Sequence, residues 1–183
     1  MKAVVFTGMP WSGKSEAVAI AGTLGLPVVR MGDFVWEEVK RRDLLLNSEN
    51  VGRTASEMRK EQGKEIWAKR TVDYIKSLGS ISIVIIDGAR NIEEIEFFQQ
   101  VFKEDFLLVA IIASDPIRHR RAMARDRTDD SKNISDIRKR DEREVSWGIE
   151  KVISSADVVI ENNNSLDKFC NQMKEFLLDL QKR

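Results

Sequence analysis

Eight residues near the start of the chain read Gly8-Met9-Pro10-Trp11-Ser12-Gly13-Lys14-Ser15, directly after the apolar run 3–6. Their spacing is that of the P-loop pattern, G-x-x-x-x-G-K-[ST]. The two glycines allow a turn tight enough for successive backbone N–H groups to point inward. A helical pattern follows, which places the positive end of a helix dipole at the same point. The stretch therefore predicts a phosphate-binding loop between a buried strand and a helix.

A loop of this kind binds a nucleoside triphosphate together with a metal ion. We expect Lys14 to reach the β- and γ-phosphates and to act in catalysis, and the Ser15 hydroxyl to ligate Mg²⁺. The other residues of 8–15 supply backbone N–H donors, so all eight are candidate ATP-binding residues. The alternative is a glycine-rich turn that binds nothing. The cofactors predicted from this stretch are ATP and Mg²⁺.

Short apolar runs alternate with helical patterns along the rest of the chain. We predict strands at 2–7, 26–30, 81–86, 106–113 and 156–161. Continuous apolar strands are typical of a parallel sheet that helices cover on both faces. The chain has 183 residues, with no internal repeat and no low-complexity linker. It is therefore predicted to form a single α/β domain over 1–183.

Two charged helical stretches interrupt this alternation. The first, about 34–78, contains Gly63 at a predicted break between two helices, and we expect it to bind the acceptor of a transferred group. The second, about 118–144, has a polar centre at 128–133 between two helical arms. We expect a helical hairpin that closes over the nucleotide as a lid, because its guanidinium groups suit a transferring phosphoryl group.

Two aspartates lie where open α/β folds bind ligands, at the carboxyl ends of strands. Asp87 ends an apolar strand as a Walker B carboxylate does, and is predicted to hold Mg²⁺ with Ser15. The alternative for Asp87 is a simple turn residue. Asp33 is expected to cap a helix that begins near Phe34. The same carboxylate is a candidate catalytic base for an incoming hydroxyl group, or a group that orients the acceptor, and these roles are compatible with capping.

Arginines are concentrated in the two inserted stretches. Phosphoryl transfer builds up negative charge, which guanidinium groups stabilise without changing their protonation state. The alternative is a pair of solvated helices held by surface ion pairs, because acidic residues lie nearby at helical spacing. The candidates at the nucleotide are Arg118 and Arg121, those for catalysis are Arg127 and Arg138, and those at the acceptor are Arg53, Arg59 and Arg90.

These motifs resemble the nucleoside monophosphate kinase branch of P-loop proteins over nearly the whole chain. Residues 29–33 look like the T-G-D stretch of adenylate kinases, and 87–90 is similar to their D-G-x-P-R element, whose arginine binds the acceptor phosphate. Residues 156–162 are closer to dephospho-coenzyme A kinases, where this strand and turn line the adenine pocket, so Asn162 is implied at the nucleotide. The whole pattern, with M-G-D, D-G-x-R, R-x-D-D and R-D-E-R-E-x-x-W-G, most resembles an archaeal family of adenylate-kinase-related proteins.

The resemblance implies a three-layer P-loop NTPase fold with five parallel strands in the order 2-3-1-4-5 and helical insertions. It implies transfer of the γ-phosphoryl group of ATP to a small nucleotide or nucleotide-like acceptor, as in nucleoside monophosphate kinases. Two alternatives stay open: transfer to a ribose hydroxyl, as in dephospho-coenzyme A kinases, and an ATPase switch that acts on a protein or RNA partner. Trp36 stands where adenylate kinases have an acceptor-binding arginine, and Trp11 where their loop has a small residue.

Composition bounds the partners and the location. Lys and Arg together number 30, as do Asp and Glu, so the chain lacks the basic excess of a general nucleic-acid binder. A single cysteine excludes an internal disulfide. The sequence shows neither a signal peptide nor an apolar run of membrane-spanning length. We expect a cytoplasmic monomer or homodimer that binds a small molecule, without a membrane or nucleic-acid partner.

Overall fold

The structure is a computed structural model that describes residues 1–124 and 133–182. Within these residues, five strands form one parallel sheet in the order β2-β3-β1-β4-β5. The strands are β1 (Lys2–Thr7), β2 (Val28–Arg30), β3 (Ile83–Asp87), β4 (Phe106–Ile112) and β5 (Val158–Glu161). The predicted fold class, strand direction and strand order are confirmed.

Helices cover both faces of this sheet. In the described residues they are α1 (Lys14–Thr23), α2 (Met31–Arg41), α3 (Ser48–Gln62), α4 (Ile66–Ser77), α5 (Ile92–Phe102), α6 (Asp115–Ala124), α7 (Ile134–Trp147), α8 (Ile149–Ser154) and α9 (Leu166–Lys182). Helices α1 and α9 pack on one face, against Val4 and Phe6 of β1. Helices α4, α5 and α8 pack on the other, against Ala3 and Val5. Successive side chains of a strand point to opposite faces, so β1 contributes to both layers of the core.

The two predicted insertions are present as helices. Helices α2, α3 and α4 form the first, and Gly63 breaks it between α3 and α4, as predicted, with a φ of 99°. Helices α6 and α7 are the arms of the predicted lid, and α7 continues to Trp147. Arg127 and most of the predicted polar tip fall in 125–132, outside the described residues.

The start of α2 differs from the prediction. The helix begins at Met31 and not near Phe34, with Arg30 at the N-cap in an extended conformation and without a side-chain cap. Asp33 therefore lies in the first turn, and the predicted N-cap role is wrong. The physical reason is burial, because the Met31 side chain is 2% exposed and enters the core directly at the end of β2. In the first turn, the Asp33 carboxylate still interacts favourably with the helix dipole.

A buried carboxylate ties the helices of the first insertion together. The Glu38 side chain on α2 is 1% exposed and accepts hydrogen bonds from Arg41, Arg42 and Arg70, with its shortest contact 2.6 Å from Arg41 Nη2. Arg70 belongs to α4, so this carboxylate joins α2 to α4. The hydrogen bonds, first among them that of Arg41, lower the pKa of Glu38 to about 2.

Replacing Glu38 with glutamine is expected to make stability less dependent on acidic pH. A carboxyl with a depressed folded-state pKa stabilises the fold above its unfolded value and loses this effect as the pH falls through the folded value. We expect Glu38→Gln to lower the unfolding free energy by about 3 kcal/mol near neutral pH, and the difference to shrink from pH about 4.5 towards about 2. Denaturant titrations at several pH values measure this. Glu37→Gln at the exposed neighbour is the control, and a gap that stays constant down to pH about 2 would contradict the assignment.

Membrane insertion has no helical basis in the described ranges. None of the helices in 1–124 and 133–182 combines the length and the apolar character of a membrane crossing.

Candidate functional site

A cavity of about 760 Å³ opens at the carboxyl ends of the strands. Its walls come from the loop before α1, the ends of β2 and β3, helices α2 and α3, and the lid arms α6 and α7. Parallel α/β sheets place their ligand sites at this edge, because the turns that leave the strands converge there. The cavity therefore joins the predicted nucleotide, acceptor and lid regions in one space.

The phosphate loop needs glycine at two places. Gly8 and Gly13 have φ values of 140° and 116°, which side chains rarely adopt. A Cβ at Gly8 would lie 2.2 Å from the Ile111 carbonyl oxygen, and one at Gly13 would lie 2.1 Å from Nδ2 of Asn162. Both glycines thus let the loop pack directly on a neighbouring strand and turn. Glycine is required at each position for two reasons, the positive φ and the lack of space for a side chain.

Lys14 is held inside this loop. Its Nζ donates hydrogen bonds to the carbonyl oxygens of Gly8, at 2.5 Å, and Met9, at 3.0 Å. Burial, together with the charge of Arg90 and against the opposing charge of Asp87, lowers the pKa of Lys14 to about 8. A cation removed from water gains most from an anionic ligand, because such a ligand restores the interaction that burial took away.

Helix α6 holds the loop from outside the cavity. Arg118 is 2% exposed and donates from Nη1 to the Pro10 carbonyl oxygen at 3.0 Å, while it also pairs with Asp141 of α7. Arg121 donates to the carbonyl oxygens of Ser12, at 3.3 Å, and Asn162, at 2.9 Å. The backbone carbonyls of Pro10 and Ser12 are thereby held by arginine side chains.

Trp11 connects the loop to both lid arms. Its backbone is left-handed, with a φ of 60°, although left-handed residues with bulky side chains are rare. The ring is 8% exposed and packs on Ala122 of α6 and Ile137 of α7. The Arg140 guanidinium lies 5.0 Å from the centre of the ring. The tryptophan that replaces a small loop residue is therefore a contact between loop and lid.

Two carboxylates face the cavity from the strand ends. Asp87 Oδ1 is buried and has no hydrogen-bond partner among the described residues. Asp33 lies at the rim of the same cavity. Partial burial raises the pKa of Asp33, and the negative charge of Asp87 adds to the shift while Arg30 opposes it.

Two of the three arginines predicted at the acceptor, Arg59 and Arg90, each have a buried carboxylate partner. Arg90 forms an ion pair with Glu144 of α7, whose side chain is 3% exposed. Arg59 binds Glu94, 2.9 Å away, and Glu94 also accepts from the Arg90 backbone N–H. Burial acts to raise the pKa of Glu144, but Arg90, Arg140 and Lys14 overcome it, so the net shift is downward. Glu144 is an ionised carboxylate among the cations of the cavity.

Helix α7 is docked on α3 through Trp147. The Trp147 ring lies 4.4 Å from the Arg59 guanidinium and 5.7 Å from that of Arg143, and its Nε1 donates to Ser56 at 3.1 Å. A Cβ at Gly52 would lie 2.3 Å from Arg143 Nη1, so this glycine inside a helix makes room for the guanidinium. The lid arm is thereby attached to the acceptor insertion as well as to the loop.

The predicted site residues fall into three groups. The cavity wall contains Pro10, Trp11, Gly13, Lys14, Ser15, Asp33, Arg59, Asp87, Arg90, Arg121 and Asn162. Arg53 and Arg138 are exposed outside it. The third group, Arg118 behind the loop and the loop residues Gly8, Met9 and Ser12, does not line the cavity. On the returning arm of the predicted lid, Arg140 lines the cavity, whereas the predicted Arg138 does not.

Several cavity residues were missed in the sequence. They are Arg30, Arg120, Arg143, Glu144 and Trp147. For the last two a signal exists, because positions 140, 144 and 147 follow at helical spacing and share one face of α7. Their partners on α3 and after β3 could not be read from that spacing.

Comparisons with known proteins agree with this geometry. An AAA domain family matches residues 7–138. A UPF0200 protein of Methanosarcina barkeri is 42% identical over 177 residues, which are 97% of this chain and 95% of that protein. The chain belongs to the AAA domain family and to the UPF0200 proteins. A UPF0200/UPF0201 protein of Archaeoglobus fulgidus is also 42% identical, and the chain spans 57% of the length of this longer relative. The expected archaeal family is confirmed.

Solved structures share the UPF0200 fold. A shikimate kinase from Acinetobacter baumannii in complex with shikimate superposes with a TM-score of 0.59, at 12% identity, over 100% of this chain and 95% of that chain. A gluconokinase from Sinorhizobium meliloti superposes with a TM-score of 0.56, at 16% identity, over 98% and 93%. At such identities the likeness establishes a P-loop kinase-like fold. It does not identify the substrate, which has to be inferred from the residues of the site.

Proposed function

We propose that the chain transfers the γ-phosphoryl group of Mg²⁺-ATP to a small, nucleotide-like acceptor. The observation that carries this proposal is that Lys14, Asp33, Asp87 and Arg90 line one cavity. A phosphate loop alone is compatible with simple nucleotide binding. The combination with a carboxylate at the second strand and a helical insertion beside it provides room for a second substrate next to the γ-phosphate.

The nucleotide half of the cavity lies between the loop, α6 and the turn after β5. Lys14 and the loop N–H groups would bind the β- and γ-phosphates. Arg120, Asn163 and Leu166 line the wall beyond them, where the base and ribose would lie. We propose that Arg121 and Asn162 act here mainly by fixing the loop, and that Arg118 supports it from behind.

The residues present fit a magnesium ion. The orphaned, buried Oδ1 of Asp87 is an acceptor that needs a cation or a water molecule, and Ser15 lines the same cavity. The described residues contain no group of three or more His, Cys, Asp or Glu side chains that could hold a metal. A P-loop Mg²⁺ needs no such group, because it takes few protein ligands and completes its shell with phosphates and water. Bound there through Ser15 and Asp87, the ion would neutralise phosphate charge.

The acceptor half supplies orientation and exclusion of water. Its wall combines Val35, Trp36, Val51 and Ala55 with the charged groups at the strand ends. Holding both substrates in one enclosed space turns a bimolecular step into an effectively unimolecular one. Arg90 and Arg140 line the same cavity and would stabilise the charge of the transferred group without a change of protonation.

An acceptor panel tests this function. ADP formation from Mg²⁺-ATP is measured with nucleoside monophosphates, nucleosides, dephospho-coenzyme A and small sugar acids, each against an assay without acceptor. Stimulation by one acceptor, with a phosphorylated product of that acceptor, supports a kinase. Hydrolysis that no acceptor changes but that a protein or RNA partner alters would replace the proposal with an ATPase switch. A cytoplasmic location and a monomeric or homodimeric state stay predictions.

Removing the Trp11 ring is expected to weaken catalysis more than nucleotide binding. Trp11→Gly suits the left-handed backbone but deletes the surface against which Arg140 lies. Loss of this cation–π contact is expected to lower acceptor-stimulated turnover by about tenfold. Trp11→Phe keeps a ring and is the matched control. Equal turnover in the wild type, Trp11→Gly and Trp11→Phe proteins would show that the ring does not position Arg140.

A further inference from the structure

We propose that Arg143 binds an anionic group of the acceptor, either a carboxylate or a phosphate. The inference rests on the proposed phosphotransferase function and names a property of its second substrate. The site consists of the Arg143 guanidinium and the Ser48 hydroxyl, which both line the cavity. Arg143 is not among the arginines predicted at the acceptor from the sequence, which are Arg53, Arg59 and Arg90.

The Arg143 guanidinium has no anionic partner in the part of the chain that the structure describes. No carboxylate there lies within ion-pair distance of it, and its Nε is buried without a hydrogen-bond partner. Its Nη2 donates one long hydrogen bond, of 3.4 Å, to the Ser48 hydroxyl. Arg59 and Arg90, by contrast, each have a buried carboxylate partner. Arg143 therefore keeps donors that a ligand can use.

The surroundings of Arg143 make its positive charge unfavourable in the free protein. Burial, together with the charges of Arg140 and Arg90 and against that of Glu144, lowers the pKa of Arg143. The group stays charged nevertheless, because guanidinium groups do not deprotonate in proteins. An anion bound here would replace the solvation that burial removes, so it would gain more than at an exposed arginine.

Helix α3 makes room for this side chain. Gly52 lies inside the helix, where glycine is unfavourable, and a Cβ there would lie 2.4 Å from Arg143 Cζ. The Trp147 ring lies 5.7 Å from the same guanidinium. Val51 and Ala55 of α3 also line the cavity. The guanidinium is thus held in the cavity wall, and its planar fork suits two oxygens of one carboxylate or phosphate.

The position of Arg143 on α7 places this anion at the acceptor and not at ATP. Arg140, one helical turn earlier, lies over the Trp11 ring of the phosphate loop. Arg143 instead contacts Ser48, the first residue of α3. An anion bound on this side would fix the orientation of the acceptor through parallel hydrogen bonds, which favours transfer from a second substrate bound at the loop.

Binding of small anions tests the site directly. The loop is first filled with Mg²⁺ and a nonhydrolysable ATP analogue, so that inorganic phosphate and benzoate report on the acceptor half. We expect at least one of these probes to raise the melting temperature of the unaltered chain. A shift with phosphate indicates a phosphorylated acceptor, and a shift with benzoate indicates a carboxylic acid. Failure of both probes to bind the unaltered chain would overturn the inference.

Arg143→Met should lower the affinity for the bound probe by about 10- to 100-fold, because charge-assisted hydrogen bonds are lost. The Kd of the ATP analogue should stay within about twofold. Lys139→Met is the matched control, because Lys139 is an exposed cation of α7 outside the cavity wall. Anion binding that Arg143→Met leaves unchanged, or that Lys139→Met weakens equally, would contradict a site at Arg143.

Stability distinguishes a binding role from a structural one. Since the Arg143 charge is unpaired, Arg143→Met should leave the denaturant midpoint of the free protein unchanged or higher. Arg59→Met should lower the midpoint, because it leaves the buried Glu94 carboxylate without its partner. A loss of stability in Arg143→Met as large as that in Arg59→Met would assign Arg143 to the fold and overturn the inference.

The acceptor panel separates this inference from the proposed function. Stimulation by an anionic acceptor, with a KM that Arg143→Met raises by about 10- to 100-fold and a smaller change in kcat, supports both. Stimulation by neutral nucleosides alone would confirm a kinase and rule out the anion site as part of it. Lack of stimulation by every acceptor, together with anion binding that depends on Arg143, would overturn the kinase function and leave the anion site in place.

Discussion

Replacing Lys14 with alanine is expected to lower acceptor-stimulated ADP formation by about 10²- to 10³-fold, because the transferred charge loses its nearest preorganised cation. The ammonium group is buried beside the loop carbonyls of Gly8 and Met9, so no solvent cation can take its place readily. Nucleotide affinity should fall as well, since we propose that the same group binds the β- and γ-phosphates in the ground state.

Two measurements separate these effects. Equilibrium binding of a nonhydrolysable ATP analogue gives the loss in affinity, and turnover at saturating ATP gives the loss in rate. Lys151→Ala is the matched control, because Lys151 is an exposed lysine on α8, away from the cavity wall. Turnover in Lys14→Ala within about twofold of the wild-type rate would contradict a catalytic role for the loop, given that one such donor is worth far more.

The sequence allows prediction of those parts of the site that depend on local spacing. The loop motif places Gly8, Gly13 and Lys14 in one loop. Asp33 follows the end of β2, and Asp87 is the last residue of β3. Strand order then brings Asp33 and Asp87 to one edge of the sheet, next to the loop. These positions could be inferred because each one requires only the alternation of strands and helices.

The two helical arms of the predicted lid could be located in the sequence, but their contacts could not. Whether an arginine faces solvent, a carboxylate or the cavity depends on how helices pack. Helix α7 contacts α3 through the hydrogen bond from Trp147 to Ser56, two residues that lie 91 positions apart in the sequence. Arg138 and Arg140 lie two residues apart in the sequence, and only the rotation of α7 about its axis decides that Arg140 lies over Trp11. The direction in which each arginine faces is therefore set by tertiary packing and cannot be read from the local sequence.

The contacts of α6 and α7 give the loop a role beyond holding phosphate. Arg118 links Pro10 of the loop to Asp141 of α7, and Trp11 packs between the two arms. A ligand that moves the loop backbone would therefore also change the contacts between the loop and helices α6 and α7. The phosphate loop and the two described arms of the lid form one connected unit.

Replacing Arg118 with methionine is expected to cause the largest loss of stability among the changes considered. Its guanidinium is 2% exposed and donates two hydrogen bonds, each 2.9 Å, to the Asp141 carboxylate. Removing one partner of a buried ion pair leaves the other charge uncompensated, which costs about 3–5 kcal/mol. His119 Nε2 lies 2.9 Å from Asp141 Oδ2 and would keep one polar contact to this carboxylate in the variant.

The loss should be recovered in part when both charges are removed. In the double variant Arg118→Met, Asp141→Leu, no unpaired carboxylate is left, and the unfolding free energy is expected to rise again by about 1–4 kcal/mol relative to the single variant. Arg120→Met, at the exposed neighbour on α6, should change stability by no more than about 0.5 kcal/mol. Denaturant unfolding of the four proteins measures these differences.

Because the bond to the Pro10 carbonyl is lost in both Arg118 variants, nucleotide affinity should be reduced in the single variant and stay low in the double variant even where stability returns. Recovery of both together would mean that Arg118 stabilises the fold without positioning the loop.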